Sequence, residues 1–135
     1  MAVIETPRPP LNIFDAVHAN IDQNWSTLLE TPTYLIPAIG PNPQRTVEIV
    51  ALLTSLIVTN TGQGTITVSL RVVNANGDFM LLNELPVPAN DFALVELSKQ
   101  NLPSGEILQI RTGEGQDAVA HLSFVSNQRE EYETL

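Results

Sequence analysis

The sequence predicts a mainly β protein: an antiparallel β-sandwich of jelly-roll or Ig-like type, preceded by an N-terminal helical arm. Three observations predict it. From Thr65 to Val72, Ile66, Val68, Leu70 and Val72 alternate with Thr65, Thr67, Ser69 and Arg71, the period-two pattern of a half-solvated antiparallel strand. Ala118, Ala120, Leu122 and Phe124 alternate in the same way with Val119, His121, Ser123 and Val125. Between these two stretches, short β-rich segments are separated by clusters of Gly, Pro and Asn, which is the punctuation of a sandwich.

Composition sets the limits. A chain of 135 residues supports one core, with 43% apolar and 16% charged residues placing it among globular domains rather than disordered ones. Fifteen acidic against six basic residues give a net charge of −9. The basic residues stand singly at Arg8, Arg45, Arg71, Lys99, Arg111 and Arg129, so no cluster exists to displace counterions from a phosphate backbone, and nucleic acid is excluded as a partner. The absence of cysteine excludes disulfides, thiol chemistry and sulfur-ligated zinc. The first residues lack the cationic start and long apolar run of a secretory signal, and Ala51–Val58 is too short to span a bilayer. A soluble protein with no membrane partner is expected.

The elements follow in order. Pro7, Pro9 and Pro10 impose an extended leader, because each fixes φ and removes a donor. Phe14, Val17, Ile21, Trp25 and Leu28 then recur at spacings of three and four, which predicts a helix over residues 12–30 capped by Asn12 and ended by Thr31-Pro32. Its apolar stripe either packs on its own domain or lies on a neighbouring subunit, and these five residues are the candidate partner interface. Strands are predicted at Thr46–Val50, Leu53–Thr59, Thr65–Val73, Phe79–Leu85, Phe92–Leu97, Glu106–Arg111 and Ala118–Ser126, with one more at Thr33–Ile36. Leu53–Val58 is apolar on both faces, the mark of a central strand or of one covered by another element or chain. Asn60–Gly64 and Asn74–Asp78 read as hairpin turns. The expected organisation is thus an arm over residues 1–44, a sandwich over 45–126 and a solvated acidic tail over 127–135.

No set of residues specifies a reaction. His121 and Ser123 share a strand face after Asp117, but strand geometry spaces their Cα atoms by about 7 Å and no sharp turn presents the serine as a nucleophile. His18 and His121 are far apart in sequence and neither has a second histidine at ligand spacing. The GEGQD stretch from Gly113 to Asp117 falls short of a calcium loop, and GQG at Gly62–Gly64 lacks the rest of a dinucleotide motif. No catalytic residue, metal site or cofactor is expected, and the protein is read as no enzyme.

The segments VTNTGQGTITVSLRVVNANG, LLNELPVPANDFALVEL, LPSGEILQIRT and DAVAHLSFVS resemble small β-sandwich virion proteins of tailed bacteriophages. The resemblance covers Thr46 to Ser126. It implies a capsid decoration or cement protein on the bacteriophage head, made in the host cytoplasm. The alternative within the same resemblance is a neck or tail structural protein, or a carbohydrate- or receptor-binding tail module. Its implied partners are copies of itself, as a trimer or dimer, and the major capsid protein or other virion proteins. Multivalency makes such a role physically sound, since weak contacts repeated on a surface become firm together.

Overall fold

The computed structural model describes residues 11–97 and 100–132. Ten strands make up the fold: β1 (Leu11–Ile21), β2 (Ser26–Glu30), β3 (Thr33–Ile36), β4 (Arg45–Asn60), β5 (Ile66–Asn74), β6 (Gly77–Val87), β7 (Asp91–Glu96), β8 (Asn101–Leu102), β9 (Ile107–Thr112) and β10 (Ala118–Tyr132). All pairings are antiparallel. The first sheet runs β1-β10-β4, and β3, β8 and β7 share the far edge of β4; the second runs β2-β9-β5-β6. The chain therefore changes sheets between β1 and β2, β2 and β3, β4 and β5, β6 and β7, β8 and β9, and β9 and β10. With β1-β10-β4-β7 set against β2-β9-β5-β6, this is the jelly-roll form of the expected sandwich rather than the Ig-like one.

The alternating stretches behave as their period requires. Ile66, Val68, Leu70 and Val72 of β5 and Ala118, Ala120, Leu122 and Phe124 of β10 are buried, and they join Leu53, Leu56 and Val58 of β4 with Leu108 and Ile110 of β9 in one core. Burial of a Leu, Ile or Val side chain contributes roughly 1.5–3 kcal/mol, so these facing layers dominate the stability. Leu53–Val58 is indeed central, paired on both edges.

The helix expected over residues 12–30 is not formed. All eleven residues of β1 pair with β10 from Leu11 opposite Gln128 to Ile21 opposite Ala118, while β2 pairs with β9. The three- and four-residue spacing of the stripe coexists with a period-two run, Val17, Ala19 and Ile21, which turns inward onto the core. The tertiary context selects the second: without β1, the outer edge of β10 would lack its ladder partner. An Asx turn, in which the Asn24 amide donates to Asp22 Oδ1 at 2.8 Å, carries the chain from β1 toward β2. The Pro-rich leader of residues 1–10 lies outside the described residues.

Three further expectations change. Thr46–Val50 and Leu53–Thr59 are one strand, β4, continued through a bulge. The segment expected as an acidic tail continues β10 as far as Tyr132, because Arg45–Ile49 of β4 needs a partner on that edge and takes Gln128–Tyr132. Asn60–Gly64 is a crossover between sheets, not a hairpin. Its turn chemistry misleads because the Asn60 side chain serves both connections at that corner. Buried at 1% exposure, Nδ2 donates to the carbonyls of Gly64, Val87 and Pro88 at 2.8, 3.1 and 3.1 Å, and Oδ1 accepts from the Gly62 amide at 3.0 Å. The Asn74–Gly77 turn is a hairpin as expected, with Asn74 paired to Gly77.

Candidate functional site on the outer face of the first sheet

Register places the outward side chains of the first sheet in rows. Asn20, Val119, Thr59 and Phe92 form one row across β1, β10, β4 and β7; His18, His121, Ile57 and Leu94 form the next; Ala16, Ser123, Ser55 and Glu96 the third. Beyond the bulge at Thr54, Phe14, Val125 and Leu52 make a fourth, closed by Asn101 of β8. Four strands and four rows span roughly 20 by 25 Å, on the order of 500 Å².

The composition of this face is unusual for a solvated sheet. Phe14 is 84% exposed, Phe92 59% and Leu94 55%, with Leu52 and Val119 also exposed. In β7 the usual sorting is inverted, since Ala93 and Val95 pack on the core while the larger Phe92 and Leu94 face out. Among these four rows the single ionisable carboxylate is Glu96, at one edge. Half of the sixteen row positions are apolar, and the large exposed ones, Phe14, Leu52, Phe92 and Leu94, make this face the candidate interaction surface.

Toward the β1 edge of this face two histidines meet. His18 and His121 are direct cross-strand partners, with Nδ1 atoms 3.0 Å apart and rings edge-to-face at 4.1 Å. One Nδ1 donates and the other accepts, so the contact requires at least one neutral ring. His121 Nε2 lies 3.5 Å from Ser123 Oγ. Flexible side chains thus bring together groups whose Cα spacing argued against contact. The separation exceeds the reach of a working nucleophile and base, and His121 is oriented by a second imidazole rather than by a carboxylate. Among the described residues, no group of three or more His, Asp or Glu side chains is placed to hold a metal ion.

The five residues expected to form a partner interface are dispersed. Ile21 and Leu28 are core residues, Val17 is partly buried against them, and Phe14 remains on the surface. Trp25, between β1 and β2, lies on the outer side of the second sheet, where the guanidinium carbons of Arg71 and Arg111 stand 4.1 and 4.4 Å from its ring. Arg71 is further fixed through Nε to Gln109 Oε1 at 2.9 Å and through Nη1 to Asp78 Oδ2 at 3.2 Å. Sequence reasoning missed Leu52, Phe92 and Leu94. The signal was present in the doubly apolar β4 and in FALVEL, whose large residues fall on the parity opposite to the core.

Neither a protein-family model nor a curated protein matches the sequence. Among solved structures, the chain is similar to the crystal structure of PirA, at 13% identity and TM-score 0.38, over 86% of this chain and 93% of that one. It is also similar to chains of infectious bursal disease virus. The Gx strain matches at 10% identity and TM-score 0.39 over 93% of this chain, and the Gt strain at 11% and 0.41 over 97%. The chain spans 39% and 38% of those two virus chains. Likenesses this remote support nothing beyond themselves.

Proposed function

We propose that this protein is a non-enzymatic structural subunit of a virion, a decoration or cement protein of a tailed-bacteriophage head, that associates with a second copy of itself through the outer face of the β1-β10-β4-β7 sheet. The observation that carries the association is the apolar face itself, with Phe14, Leu52, Phe92, Leu94 and Val119 exposed on it. Two such faces would bury roughly 1,000 Å² together, at the low end of specific interfaces. That area suits a subunit whose weak pairing is reinforced by repetition on a capsid lattice and by contact with the major capsid protein. The assignment to a phage head draws on the resemblance of Thr46–Ser126 to small virion proteins.

A carbohydrate-binding tail module is less well supported. Sugar platforms need open aromatic rings in a cluster; two guanidinium groups stack on Trp25, and the exposed Phe14, Tyr34, Phe79 and Phe92 are spread over four different strands. Immunogold labelling of purified particles of the encoding phage tests the placement. Label on heads is expected; label confined to tails, or particles free of the protein, would reject it.

A further inference from the structure

Independently of any assembly role, we propose that His18 and His121 form a two-nitrogen site for a divalent transition metal of the zinc, nickel or copper type. Two imidazoles on adjacent strands present Nδ1 atoms 3.0 Å apart. In a tetrahedral zinc site, bonds of about 2.0–2.1 Å place neighbouring ligand nitrogens about 3.3 Å apart, so a small outward movement of either ring admits a metal where the two now share a proton. The backbone is already set for this, since the β1–β10 ladder holds the two residues in direct register from Leu11 to Ile21. The rings are not needed to align the strands.

The surroundings favour a metal in three ways. Imidazole is a preferred ligand of zinc, copper and nickel. His121 turns Nε2 toward Ser123 Oγ, 3.5 Å away, and Nδ1 toward His18, so Nδ1 is the nitrogen placed to share an ion with the neighbouring ring. The chain's net charge of −9 provides a field that draws cations to the surface. Ile57 and Leu94 continue the row of the pair, and Asn20, Val119, Ala16 and Ser123 lie beside it on the same two strands. The remaining coordination positions face outward, open to water or to a donor from another molecule.

Calorimetric titration of zinc chloride into the full-length, tag-free protein, paired with NMR of the imidazole nitrogens, tests the site. One zinc ion is expected to bind per chain, shifting Nδ1 of both His18 and His121. His18→Asn or His121→Asn should each weaken binding by about tenfold or more, because a single nitrogen no longer chelates, and the double variant should lose it. Both residues lie on the sheet surface, and an unchanged circular dichroism spectrum verifies that the variants fold. Zinc binding that survives in the double variant, or an absence of Nδ1 shifts at equimolar zinc, would overturn the proposal.

Discussion

Thr54 has no partner on β10, and its hydroxyl donates instead to the Ser123 carbonyl at 2.8 Å. This bulge lets Leu53 and Leu56 both face the core while Leu52 and Ile57 both face out. On the opposite edge of β4 the same point is where β7 gives way to β8: the Leu97 amide donates to the Thr54 carbonyl, and the Leu53 amide to that of Gln100, each at 3.0 Å. Bulges commonly re-aim side chains in this manner. Thr54→Val keeps the shape and removes the hydrogen bond. It should lower unfolding free energy by about 1 kcal/mol, measured by urea denaturation, with the fold retained.

Asn60 is expected to be among the most sensitive polar positions. Asn60→Ala removes the hydrogen bonds to the carbonyls of Gly64, Val87 and Pro88 and from the Gly62 amide, of which only the Val87 bond is fully buried, and a loss of about 1–3 kcal/mol is predicted. Asn60→Asp should be worse, because it turns an acceptor toward three acceptors. Thermal denaturation that ranks Asp above Ala in stability would contradict the assigned orientation of the amide.

The former stripe residues should divide by environment. Leu28→Ala removes a core side chain and should cost about 2–5 kcal/mol. Phe14→Ala, on the exposed sheet face, should change stability by no more than about 0.5 kcal/mol while weakening self-association. A helix packed by one stripe would show neither division. Chemical denaturation beside analytical ultracentrifugation separates the two effects.

Trp25 is the sole tryptophan, so its emission reports directly on Arg71 and Arg111. Arg111→Ala removes one stacked guanidinium, worth about 0.5–1 kcal/mol, and should shift emission to longer wavelength as water reaches the ring. Self-association should be unaffected, because Trp25 lies on the other sheet.

The strands that alternate cleanly, β5 and β10, were legible because burial of one face leaves its mark at period two. The N-terminal segment was not, since Phe14, Val17, Ile21, Trp25 and Leu28 satisfy a helical spacing by coincidence of two strands and a turn. What decides between the readings is the edge of β10, far along the chain, which pairs Ile21 with Ala118 and Leu11 with Gln128. The Asn60 crossover failed for a related reason: a turn that reverses the chain within a sheet and one that crosses to the other sheet draw on the same residues. Of the candidate site, the doubly apolar β4 was visible, but the rows that join it to Phe14, Phe92 and Leu94 exist only through register. The meeting of His18 with His121 depends on the same β1–β10 pairing.

Sedimentation velocity over a concentration series, on the native chain and on a Phe92→Ser, Leu94→Ser double variant, tests the central claim most directly. The native chain should associate with rising concentration, and the variant should remain a monomer with an unchanged melting temperature. A native chain that stays monomeric throughout, or a folded variant that associates as the native chain does, would contradict the assignment of this sheet face as the interface.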